Sequence, residues 1–193
     1  MGTQTDIWSV TLEADADYYF AAASLADDSP LTLLKSRPGL NGIARQITIT
    51  STGDDDGVDF VVVGKDVLGN TLTETVTGPD TTTVTSTGYF AEITSITPDA
   101  GSTGNISVGY AQDVVLPKTR LRYAYYIASS SAGSIVVTRN SDSAAIFTLP
   151  TPATDKHTDS VLIPQDGISV AYDPADYATV TLTNVTTGLL LCG

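Results

Sequence analysis

Few side chains in this sequence are equipped for chemistry, and most of those stand alone. His157 is the single histidine and Cys192 the single cysteine. A nucleophilic triad would have to use His157. It lies in Thr154-Asp155-Lys156-His157-Thr158-Asp159, a polar stretch that reads as a solvated loop. Structural and catalytic zinc sites combine several Cys and His ligands, so one of each leaves no usual set. The densest group of hard ligands is Asp54-Asp55-Asp56-Gly57-Val58-Asp59. Carboxylate oxygens suit a cation such as Ca²⁺, and Asp54, Asp56 and Asp59 are the candidate ligands. An EF-hand loop alternates its acids ahead of the glycine, whereas these are consecutive. A solvated hairpin tip is therefore the preferred reading. Asp27-Asp28 with Asp15 and Asp17 is a weaker cluster.

Pairs of carboxylates for glycoside hydrolysis exist among 22 acids, but three Glu and one Trp do not supply an aromatic sugar platform. Gly101-Ser102-Thr103-Gly104 lacks the lysine that follows in a phosphate-binding loop. The expectation is a protein with no catalytic residues and no cofactor. A polysaccharide-binding or depolymerase module is the minority alternative.

Candidate contact residues for a protein partner lie late in the chain. Leu121, Tyr123, Tyr125 and Ile127 alternate along one strand face, with Arg120 and Arg122 on the other. Tyrosine and arginine are enriched at interfaces. Leu189, Leu190 and Leu191 precede Cys192 and read as a strand packed on a core or on a neighbouring subunit.

The elements that must position these residues are strands. Thr occurs 30 times, Ser 17 and Val 17, while Glu occurs three times and Lys four. Thr and Val are stiff at χ1 and favour pleated structure. Period-two alternation marks Gln46–Thr50, Thr71–Thr77, Ile93–Thr97 and Thr179–Thr183. Val58–Val63 ends in a continuous apolar run, as a strand buried on both faces would. Gly64–Asn70 carries Asp, Gly and Asn suited to a tight reversal, so strands near 58–65 and 70–77 are expected to form a hairpin. Turn residues recur at roughly ten-residue intervals, the spacing of an all-β sandwich or barrel. Only Ser24–Leu34 has room for a helical turn, and Pro30 limits it.

Net charge is −13. That disfavours nucleic-acid binding and attraction to anionic membranes, both of which need Lys and Arg. Residues 1–115 hold 4 basic and 16 acidic side chains, and residues 116–193 hold 5 and 6. This asymmetry, with Pro117 after an apolar run, predicts two β-sandwich-like units with little helix: an acidic one over 1–115 and a smaller one over 116–193. The first residues show no basic region leading into an apolar stretch, and no apolar run reaches membrane-span length. The expectation is a soluble protein made in a cytoplasm, without a membrane partner.

The stretch from Ile47 to Tyr110 resembles a β domain of virion proteins from tailed bacteriophages. The resemblance rests on the hairpin residues Gly64, Asp66, Gly69 and Asn70, on Thr73–Pro79, and on Tyr89–Ile96. The second half resembles small phage-encoded β proteins through Leu149–Ala153, Asp159–Ile168 and Thr181–Thr186. The resemblance implies a non-enzymatic virion component. A capsid decoration or cement protein that stabilises a phage head fits the acidic first unit, which suits a solvent-facing position. A head–tail connector or tail component is the alternative. The implied partners are the major capsid protein or other virion proteins, together with further copies of the chain in a trimer or dimer.

Overall fold

The hairpin expected around Gly64–Asn70 is present in the computed structural model. The structure describes residues 8–39, 42–117, 120–128, 132–139, 142–151, 158–162, 168–169, 178–183 and 185–192. Strands β4 (Asp59–Lys65) and β5 (Thr71–Thr77) pair antiparallel, with Asp59 opposite Thr77 and Lys65 opposite Thr71. Asp66 organises the reversal. Its Oδ1 accepts the N–H groups of Leu68 and Asn70, each at 2.9 Å. Gly69 turns the chain at φ 85°, a conformation that a residue without Cβ adopts at little cost.

Contacts divide the chain into two compact units, Ala14–Val114 and Met1–Glu13 with Val115–Gly193. The sequence reading placed residues 1–13 with the first unit. Strand β1 (Trp8–Thr11) instead pairs with β15 (Val185–Cys192), Trp8 opposite Cys192. The boundary after Val114 falls inside a strand, β8 (Asn105–Leu116), rather than in a linker.

The Ala14–Val114 unit has two layers. One follows the order β2 (Asp15–Ser24), β8, β3 (Ala44–Ser51), β6 (Thr83–Phe90). The other is β5-β4-β7, with β7 spanning Glu92–Pro98. Their inward residues merge into one core. Tyr19, Ile47, Ile49, Phe90, Ile106 and Val108 come from the first layer, and Phe60, Val62, Val76, Ile93 and Ile96 from the second. Alternating inward positions are what a two-layer β unit requires.

Val58–Val63 is not buried on both faces. Val61 is 37% exposed because the β5-β4-β7 layer buries only one face. Ile93 and Ile96 are both buried, although strict alternation would place them on opposite faces. A bulge resolves this: Gly64 stands opposite Ile93 and Val63 opposite Ser95, which leaves Thr94 as the extra residue. Gly64 permits the close approach, since a Cβ there would lie 2.1 Å from the Glu92 carbonyl oxygen.

Ser24–Leu34 contains no helical turn; after β2 it is irregular. The segment then runs along the edge of β7. Leu31 N–H donates to Ile96 O at 2.9 Å and Ile93 N–H donates to Ser36 O at 2.7 Å, while Leu34 N–H reaches back to Tyr19 O at 2.8 Å. An otherwise open strand edge is thereby covered.

The other unit also contains strands and no helix among its described residues. Its first group runs β1-β15-β9-β12, with β9 at Arg120–Ala128 and β12 at Thr158–Leu162; β13 (Ile168–Ser169) also pairs β9. Its second group is β11 (Ala145–Thr151), β10 (Gly133–Arg139) and β14 (Ala178–Thr183), in that order. Val10, Leu12, Val115, Leu116, Ile135, Val137 and Val180 are buried.

Candidate functional site

Antiparallel strands gather the loops of the Ala14–Val114 unit at two opposite ends. One end collects residues 25–30, 52–58, 78–82 and 99–104. Backbone hydrogen bonds tie them together: Ser102 N–H to Leu25 O at 2.9 Å, Asp55 N–H to Pro79 O at 3.1 Å, and Thr81 N–H to Gly53 O at 2.8 Å. Asp27, Asp28, Asp54, Asp55, Asp56, Asp80 and Asp99 all belong to these loops, and Asp59 begins the adjoining strand. The loops contain no Lys or Arg.

Asp55 is the organising residue of that end, and the sequence reading passed over it in favour of its neighbours. It is 1% exposed. Its carboxylate accepts from Ser51 Oγ, from Thr103 N–H at 2.6 Å and from Gly104 N–H at 3.2 Å. Burial pushes the carboxyl up. The hydrogen bonds from Ser51, Thr103 and Gly104 outweigh it and hold the group below the ordinary carboxylate range.

The three metal candidates serve differently. Asp54 and Asp56 are exposed, and the Asp54 carbonyl accepts from Thr103 Oγ1 at 2.5 Å. Asp59 accepts from Thr77 Oγ1 at 2.8 Å, and its N–H donates to Asp99 Oδ1 at 2.9 Å. Among the described residues, no three ligand-type side chains converge on a point where a cation would sit.

The opposite end carries every cation of this unit. Lys35, Arg37, Arg45 and Lys65 share it with Asp15, Asp17, Asp66, Glu92 and Asp113, five of the fourteen acids over Ala14–Val114. Arg45 is buried beneath this end. Its Nη1 donates to Ala111 O at 3.1 Å and Gln112 O at 2.9 Å, and its guanidinium lies 4.6 Å from the Tyr110 ring centroid. Burial lowers the Arg45 pKa, opposed by Tyr110, Tyr19 and Asp113. Tyr18 and Tyr19 pack edge-on at 5.1 Å, and Tyr18 and Tyr110 at 4.8 Å. Burial, followed by the neighbouring Tyr18 and Tyr110, pushes the Tyr19 hydroxyl well up.

The other three cations reach the surface. Lys35 Nζ lies 3.9 Å over the Tyr18 ring, within cation–π range. Arg37 Nη2 pairs with Glu92 Oε2 at 2.5 Å, and the Arg37 side chain is 64% exposed. Two shallow concavities share Arg37. The larger, about 330 Å³, is lined by Tyr18, Lys35, Ser36, Arg37 and Gly39. The smaller, about 170 Å³, includes Arg37, Lys65, Asp66 and Glu92. Sequence reasoning missed this patch because Lys65 is far from Lys35 and Arg37 in the chain. The available signal was that three of the unit's four cations fall within residues 35–45.

The expected partner-contact residues lie on two paired strands. Leu189 of β15 stands opposite Tyr125 of β9, and Leu191 opposite Tyr123. Arg120 pairs in register with Ser169, and the register shift between Leu191 and Cys192 falls at Arg122. The two segments singled out separately are thus adjacent in one sheet. His157 lies outside the described residues.

No protein-family model matches the chain, and no curated protein is significantly similar to it.

Proposed function

We propose that this chain is a non-enzymatic structural protein of a tailed-bacteriophage virion, acting as a capsid decoration protein. One observation supports a scaffold role above others. The two buried charged side chains of the Ala14–Val114 unit among the described residues, Arg45 and Asp55, have hydrogen bonds to the protein's own backbone. Groups held this way brace a shape, whereas a catalytic acid or base must face a substrate. The resemblance of Ile47–Tyr110 to phage virion domains supplies the setting.

An acidic exterior keeps a particle covered with such copies soluble. A small domain repeated over a capsid lattice adds buried area between neighbouring capsomers, and many weak contacts combine through multivalency. The test is a quantified gel of purified virions together with particles lacking the protein. A copy number matching the capsid lattice, and heads that rupture under heat or osmotic shock when the protein is missing, is the expected result. A copy number matching one ring, with intact heads that fail to join tails, replaces this reading with a connector or tail role.

A further inference from the structure

The turn from Asp55 to Val58 is held at both of its ends and open in its middle. Asp55 is tied to Thr103 and Gly104 by its carboxylate and to Pro79 O by its N–H, and Val58 O accepts the Gly78 N–H at 2.8 Å. Val58 N–H donates to Asp55 O at 3.0 Å, so Asp56 and Gly57 are the central residues of the turn. Both are exposed, whereas Asp55 and Val58 are buried. Among the described residues, no hydrogen bond holds the Asp56 carboxylate or the Gly57 N–H.

An aspartate carboxyl carbon lies within reach of the next residue's backbone nitrogen, and their union closes a five-membered imide. The reaction needs a carboxyl and a nitrogen that are both free, and a small following residue. The other aspartates at this end fail on one of these counts. The Asp27 and Asp99 carboxylates accept the N–H groups of Ser29 and Asp59, each at 2.9 Å. The nitrogen after Asp28 is that same engaged Ser29. The nitrogen after Asp54 donates to Pro79 O at 3.1 Å, and the nitrogen after Asp80 donates to Gly53 O at 2.8 Å. Asp55 is buried with its carboxylate engaged. Asp56 has both groups free, and glycine follows it.

We propose that Asp56 is a site of spontaneous isoaspartate formation, through an imide closed by the Gly57 nitrogen. That nitrogen bonds to Asp56 Cγ, the Cγ–OH bond breaks, and the hydroxyl leaves as water with the proton of the nitrogen. Water then opens the imide at either carbonyl. Opening at Cγ restores aspartate. Opening at the former main-chain carbonyl leaves Gly57 joined through Cγ and frees an α-carboxylate. One water is lost and one regained, so the mass is unchanged and no oxidant, cofactor or enzyme takes part. Glycine accepts both signs of φ, so the Asp56–Gly57 peptide can rotate while the bond between Asp55 and Val58 stays in place. The product lengthens the main chain by one atom between ends fixed at Pro79 and Gly78, and the misfit falls on the turn. This inference does not depend on the virion reading.

The test incubates the purified full chain for weeks at neutral pH, folded and in urea, and then digests it. Electron-transfer fragmentation places the isoaspartate. An isoaspartyl methyltransferase with labelled S-adenosylmethionine, which caps the new α-carboxylate, counts it. Folded wild type is expected to accumulate isoaspartate at position 56 faster than at Asp27, Asp54 or Asp80. Gly57→Ala is expected to slow it about tenfold, about 1.4 kcal/mol in the barrier, because the added methyl group crowds the nitrogen. A Cβ at Gly57 meets nothing within 4 Å, so this variant keeps the fold. Asp56→Glu is expected to remove the signal, since a longer side chain has to close a six-membered ring. The comparison of folded with urea-unfolded wild type needs no variant at all. A folded chain that forms no isoaspartate at position 56 while the unfolded chain does overturns the proposal, because the turn then protects the pair. So do equal rates in wild type and Gly57→Ala, or isoaspartate spread evenly over the aspartates of this end.

Discussion

Glu74 on β5 clasps Thr87 on β6: its Oε1 accepts the Thr87 N–H at 2.7 Å and the Thr87 hydroxyl at 3.0 Å. Its Oε2 takes the Gly88 N–H at 2.8 Å. The strands belong to different layers, so one carboxylate joins the two sheets where no strand ladder does. Glu74 occupies an inward position of β5 between Leu72 and Val76, which a simple alternation would fill with an apolar residue.

Glu74→Ala is expected to destabilise the chain by about 1 kcal/mol, because the partly buried Gly88 N–H loses its acceptor while the exposed Thr87 donors turn to water. Glu74→Gln is expected to cost less, since its single carbonyl oxygen keeps part of the arrangement. Urea unfolding of the three proteins orders them. Equal midpoints for Ala and wild type contradict the bracing role.

Asp55 makes stability depend on acid. Its folded-state carboxyl is held below the ordinary range, where an unfolded Asp titrates near about 3.9. The stabilisation is therefore complete above that unfolded value and is lost as pH falls through the lower folded one. Asp55→Asn is expected to be less stable at neutral pH and to show a shallower loss on acidification. Chemical denaturation over a pH series measures both; parallel pH profiles refute the assignment.

Gly64→Ala drives a methyl group into the Glu92 carbonyl at the β7 bulge. The expected loss is about 1–3 kcal/mol, the usual cost of overpacking. Gly57→Ala is the control, because a Cβ there meets nothing within 4 Å. A thermal melt in which both behave alike shows that the bulge relaxes.

Tyr19→Phe is expected to be neutral or stabilising by about 1 kcal/mol. Tyr19 is fully buried, and no hydrogen-bond partner reaches its hydroxyl among the described residues. Deleting an unsatisfied polar atom removes a desolvation penalty while the ring keeps its packing. A clear fall in the unfolding midpoint means that the hydroxyl is satisfied within the core.

What the sequence disclosed was local. Thr71–Thr77 alternates, and Asp66, Gly69 and Asn70 are turn residues for reasons internal to the turn, so the hairpin was legible. The bulge at Thr94 was not, because it depends on which strand lies beside β7. Val61 points outward because the β5-β4-β7 layer buries one face, and an apolar run does not encode which face that is. The Asp54–Asp59 cluster was visible as charge, but Asp55 differs from its neighbours only through Ser51, Thr103 and Gly104. The last two are distant in sequence. Lys35, Arg37 and Lys65 converge because the segment after Leu31 lies along β7, a long-range placement that residue types alone do not reveal.

The loop closure between Leu25 and Ser102 also sets a timetable. Leu25 N–H donates to Ser102 Oγ across 77 residues of chain, and the segment that follows Leu25 closes on β7. At about 5–20 residues per second, a ribosome needs roughly 4–15 s to make the intervening chain. Throughout that interval β2 and the segment behind it have emerged without the partners that will cover them. The high sequence separation of these contacts makes closure slow even for the finished chain. Until Ser102 arrives the acidic loops have no common anchor, so the nascent unit remains most vulnerable to proteases and to aberrant strand pairing near its own beginning.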